Sequence, residues 1–72
     1  MVLKIDDINP DGVRIVINWD KFVVGASFFV PCLDTEKAVV QLKKIATAKG
    51  FRIECRIQIE NNKMGVRSWR MA

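Results

Sequence analysis

The sequence predicts a small α+β domain: an antiparallel sheet of four to five strands, in the order hairpin, strand, helix, hairpin, with one helix packed on one face. Three observations carry this. Apolar residues recur at period two over residues 13–19 and 51–60, the spacing of a strand that lays one face on a core. Residues 34–49 switch instead to the period of an amphipathic helix, with apolar positions three and four apart. Turn formers stand at 9–12 and 61–65, where each hairpin has to reverse. With 72 residues, the chain is one domain spanning 1–72, because so short a chain buries only about 60% of its unfolded surface and cannot divide its core.

The first hairpin is expected from Leu3–Ile8 and Val13–Trp19, joined by Asn9-Pro10-Asp11-Gly12. Asn suits the first position of a type I turn, Pro the second and Gly the fourth. Val13, Ile15, Ile17 and Trp19 then share the inward face. The stretch from Phe22 to Pro31 is β-branched and aromatic, which fits a short connection, a bend at Gly25 and a buried strand ended by Pro31. In the helix, Ala38, Val39, Leu42, Ile45 and Ala46 form the apolar stripe. Asp34 or Thr35 caps its start, Glu36 and Lys49 complement its dipole and Gly50 stops it.

Phe51, Ile53, Cys55, Ile57 and Ile59 alternate with Arg52, Glu54, Arg56, Gln58 and Glu60, as in a half-buried strand. Asn61 to Gly65 turn the chain, and Val66–Met71 return as the last strand. With Asn62-Lys63 at the centre of the turn, Glu60 faces Gly65, Gln58 faces Arg67 and Arg56 faces Trp69. Arg52, Arg56, Arg67 and Trp69 then share a solvent face. A slip of one residue would send Trp69 into the core against Ile57 or Cys55 and Arg70 outward.

Composition narrows the chemistry. The chain has no histidine, so it lacks the commonest general base and metal ligand, and no enzyme activity and no cofactor are expected. Two cysteines are too few for a disulfide framework. Cys32 precedes the helix, where exposed amides can activate a thiol, yet it has no base beside it; both it and Cys55 read as buried, reduced side chains. Asp7, Asn9, Asp11 and Gly12 match the opening D-x-N-x-D-G of a calcium loop, but Asn18 stands where the bidentate Glu belongs, so no metal is expected there. No apolar run reaches the roughly 20 residues of a membrane span, and no secretory signal opens the chain. A cytoplasmic protein without membrane association is the expectation.

The net charge of +4 conceals an asymmetry: residues 1–36 carry three basic and six acidic side chains (−3), and residues 37–72 carry nine basic and two acidic (+7). A basic half concentrates counter-ions such as nucleic-acid phosphate or an acidic protein surface. Candidate contact residues are Arg52, Arg56, Lys63, Arg67, Trp69 and Arg70 on the final hairpin, with Lys43 and Lys44 on the helix. Arginines beside an exposed indole on a pleated surface can hold phosphates and stack a base. Arg67 and Arg70 can equally serve as edge charges that discourage aggregation, with Trp69 as core.

Val24-Gly25-Ala26-Ser27-Phe28-Phe29-Val30-Pro31, followed by a helix and then Gly65-Val66-Arg67-Ser68-Trp69-Arg70, resembles a group of short bacteriophage proteins that share a V-G-x-S-F-F-V-P segment and a terminal G-V-R-x-W-R. The resemblance covers about the last two thirds of the chain. It implies a phage product acting in the host bacterial cytoplasm, with DNA or RNA as partner. Where many of those proteins carry a basic G-R-K-F-T-T-R-like stretch, this chain has Gly50-Phe51-Arg52-Ile53-Glu54-Cys55-Arg56. The other reading is a protein-binding module that inhibits or redirects a host enzyme through an open sheet edge. The opposed charges of the two halves would also suit a homodimer.

Overall fold

A computed structural model describes residues 7–72. A short 3-10 helix, Trp19–Lys21, leads into β1 (Ser27–Pro31), α1 (Thr35–Lys49), β2 (Ile53–Glu60) and β3 (Lys63–Arg70). The three strands form one antiparallel sheet in the order β1-β3-β2. Thus β1 and β2, both antiparallel to β3, run in the same direction, and α1 carries the chain back between them.

The helix begins where Asp34 caps it, its carboxylate accepting from the Lys37 amide at 3.1 Å. It ends at Gly50, whose φ of 76° is a left-handed conformation that costs glycine least. Ala38, Leu42, Ile45 and Ala46 are its buried positions. Ala38, Leu42 and Ile45 pack with Val30 of β1 and Val66 of β3, and Phe28, Ile53 and Cys55 border that core. The helix therefore covers the sheet face that carries the even-numbered β1 and β3 residues and the odd-numbered β2 residues.

The sheet has three strands, where four to five were expected. The part of the first hairpin over Leu3–Asp6 lies outside the described residues, and the remainder makes a single bridge, Ile8 to Ile15. The turn itself forms, with the Gly12 amide donating to the Asn9 carbonyl at 3.1 Å. Past Ile15 the segment joins no ladder, and the turn before it is tied to the helix and its approach by polar side chains. The Asn9 amide donates to Gln41 Oε1 at 2.8 Å and Gln41 Nε2 donates to Asn9 Oδ1 at 3.0 Å. Asp11 accepts from the amides of Leu33 and Asp34 at 2.9 Å each. Period two correctly marks which side of residues 15–19 faces inward. Trp19 is buried and Val16 is exposed, but Val13, expected inside, is 70% exposed. Extended chain laid over a core has the same alternation as a strand.

Trp19 packs edge-on to Phe22 and Phe28, with centroids 5.6 and 5.8 Å away, and tilted against Phe51 at 6.4 Å. This aromatic group closes the end of the core near the helix C-terminus.

Candidate nucleic-acid interface

The final hairpin turns on Asn61 and Asn62, whose φ values of 51° and 62° are both left-handed. A two-residue hairpin loop needs positive φ at both centres to match the twist of its strands, and Asn tolerates that region better than Lys. The turn therefore centres two positions' worth of register away from the Asn62-Lys63 expectation: Glu60 faces Lys63, Arg56 faces Arg67 and Glu54 faces Trp69. Because the correction is an even number of residues, every side chain keeps its expected face. Trp69 is not directed into the core.

Across the sheet this gives rows of side chains on the face opposite the helix. Ser27, Trp69 and Glu54 form one row, Phe29, Arg67 and Arg56 the next, and Pro31, Gly65 and Gln58 a third. Lys63 and Glu60 close the turn end. At the other end the Met71 amide donates to the Arg52 carbonyl at 2.7 Å, which continues the ladder and places Arg52 on the same face. Among the described residues no element covers this face. Trp69 and Phe29 are half-buried on it, and Trp69 forms a shallow hollow with Glu54, Arg56 and Met71.

Gly65 permits this arrangement. A Cβ there would collide with the Val30 carbonyl oxygen and come within 2.7 Å of the Phe29 ring, so the tip of Phe29 occupies the space a side chain would fill. Phe29 escaped the sequence reading, although the Phe28-Phe29 pair held the signal: neighbours in a strand point to opposite faces, so one of two adjacent aromatics has to face outward.

The arginines on this face are held by carboxylates. Arg67 makes a two-pronged bond to Glu60, Nε to Oε2 and Nη2 to Oε1 at 2.7 Å each, and its Nη1 donates to Ser27 Oγ at 2.8 Å. Its guanidinium lies 5.9 Å from the Phe29 centroid. Hydrogen bonding to Arg67 holds the Glu60 carboxyl below its ordinary range, and the same bond raises Arg67. Arg56 pairs with Glu54 at 3.2 Å in a more exposed contact. These pairs offset the repulsion between two arginines directly opposite one another. With Arg52, Arg56, Lys63 and Arg67 against Glu54 and Glu60, the face carries a net charge of +2.

The other candidates lie elsewhere. Arg70 faces the helix side opposite Ile53; its Nη1 donates to the Phe22 carbonyl at 2.9 Å and its guanidinium lies 3.6 Å from the Phe51 centroid. Lys43 and Lys44 are exposed on α1, across the sheet from Trp69, with Lys43 beside Arg52 in a separate hollow that includes Phe51. Asp7, Asn9 and Asp11 do not converge: Asp7 is buried against Arg14 at 2.7 Å, and the other two bind the helix and its approach. Cys32 and Cys55 are free thiols. Burial first, then Asp11 and Asp34, push the Cys32 thiol up, so the helix start does not activate it. Cys55 Sγ lies 3.2 Å from Ser68 Oγ. Among the described residues no helix is long and apolar enough to cross a membrane.

Comparison with protein-family models, with curated proteins and with solved structures finds no match.

Proposed function

We propose that the chain is a nucleic-acid-binding accessory protein, of the kind its phage-like motifs imply, which engages single-stranded nucleic acid on the uncovered sheet face. The observation that carries this reading is the pair of half-buried aromatics, Trp69 and Phe29, on one open face with Arg67 and Arg56 between and beside them. Bases stack on such rings whatever their identity, at about 1–3 kcal/mol each. The guanidinium groups and Lys63 then meet the backbone phosphates. Because Glu54 and Glu60 occupy two of the arginines, stacking contributes more than charge. Arg70, Lys43 and Lys44 lie outside this contact.

The test is anisotropy of labelled single-stranded DNA and RNA titrated with the full chain at several salt concentrations. Binding is expected with a shallow salt slope, about −1 to −2 on a log-log scale for a face of this charge. Trp69→Ala should weaken it by about tenfold or more with the fold intact. Absence of binding to either strand type at low salt overturns the reading. Capture of a host protein that survives nuclease treatment, together with absence of oligonucleotide binding, would replace it with the protein-binding module.

A further inference from the structure

On the helix side of β2, Ile57 and Ile59 are 58% and 74% exposed. The strand reading expected both inside, yet of the helix-side β2 residues only Ile53 and Cys55 pack against the core, and Met64, opposite Ile59, is 41% exposed as well. β2 is also an edge strand of eight residues, and among the described residues nothing pairs with its outer side. The bond from Met71 to Arg52 and the closing pair Glu60 to Lys63 aim the backbone groups of the even-numbered β2 residues at β3. Those of Ile53, Cys55, Ile57 and Ile59 therefore point to the open edge. An edge that joins unpaired backbone to exposed isoleucines invites a strand from another chain.

We propose that this edge pairs with the same edge of a second copy, two-fold and antiparallel, centred on Gln58. The occupant follows from charge complementarity, and the register is the complementary one that sets the two exposed isoleucines, Ile57 and Ile59, against each other. For helix faces to stay on one side of a joined sheet, residues of like parity must oppose each other. Centring on Ile57 sets Glu54 against Glu60 twice, and centring on Arg56 sets Arg56 against itself; like charges directly opposite are unfavourable. Centring on Gln58 sets Arg56 against Glu60 twice and Ile57 against Ile59 twice. The isoleucine pairs are then the hydrogen-bonded ones, and the charge pairs are the closer, non-hydrogen-bonded ones. An isologous contact needs this self-complementarity. The joined sheet has six strands, and its two uncovered faces form one surface. The pairing does not depend on the nucleic-acid reading, since it rests on the strand edge and the exposed isoleucines of the helix side; Arg56 and Glu60, at the rim of the open face, bear only on its register.

Sedimentation equilibrium of the full chain from about 10 μM to about 1 mM tests it, a range that reaches weak association. A monomer–dimer equilibrium is expected, weakened about tenfold or more by Ile59→Asp. That side chain is already exposed, so circular dichroism should show the fold unchanged. In a Cys55→Ala background, Gln58→Cys should give a disulfide-linked dimer on mild oxidation and Glu54→Cys should not. A wild-type chain that stays monomeric throughout, an Ile59→Asp variant that dimerises equally well, or a Gln58→Cys variant that does not cross-link overturns the proposal.

Discussion

Gly65 is held to its identity by space alone, because β1 and β3 approach so closely there that any Cβ meets the Val30 carbonyl and the Phe29 ring. Gly65→Ala is expected to lower stability by about 1–3 kcal/mol, the usual range for forcing a methyl group into filled space, measured as a shift in denaturant midpoint. Asp11 works through charge. The Asp34 and Leu33 amides, in that order, hold its carboxyl below the ordinary aspartate range. A depressed native value means that its contribution is fully present at neutral pH. It declines as the pH falls below the ordinary value of about 3.9 and is gone once the pH passes below the native one. Glu60, depressed by Arg67, acts in the same sense. Urea midpoints of the wild type and Asp11→Asn should therefore converge as the pH is lowered through the acid range; a constant gap would show that Asp11 does not act through ionisation. Cys32, buried with its thiol pushed up, should resist alkylation at neutral pH until the protein unfolds.

At the scale of elements, α1 and the β2-β3 hairpin are specified locally, while the N-terminal segment is not. Asp34 and Gly50 bracket the helix at the expected positions; Asp34→Ala is expected to cost about 1 kcal/mol in thermal or chemical unfolding through loss of the cap. Asn61 and Asn62 set the hairpin register through their left-handed backbone. Asn62→Gly should be nearly neutral and Asn62→Val strongly unfavourable, because β-branched residues resist positive φ; equal stability of the two variants would argue against turn control. The residues before β1 repeat at period two like a strand. Among the described residues up to Trp19 the one strand pairing is nevertheless the Ile8 to Ile15 bridge, and the turn it closes is held by Asn9 to Gln41 and by Asp11 to the helix approach. A pattern of apolar residues reports which side faces inward, and it does not report what the backbone pairs with.

For the molecule as a whole, the consequence is a two-layer structure with one sheet face uncovered among the described residues and one strand edge open. The face predicts oligonucleotide binding that depends on Trp69, and the edge predicts association that depends on Ile59; variants of one should leave the other unchanged. Much of this architecture was legible in sequence. The helix, its limits and the alternation of β2 follow from local periodicity, whereas the face of Trp69, open between two registers in the sequence, is decided by the Asn61-Asn62 turn, which puts it with Arg56 and Arg67. Other features depended on distant contacts. Arg67 meets Glu60 and Ser27, Arg70 turns away to Phe22 and Phe51, and Phe29 joins the open face over Gly65. The sequence by itself determined the helix with its limits and the alternating faces of β2, because helix and strand periods are set by neighbouring residues. Only the tertiary structure decided how many strands pair, which arginines are held by carboxylates and which isoleucines the helix leaves bare. Those outcomes depend on where separately specified elements come to rest against each other, which no local repeat encodes.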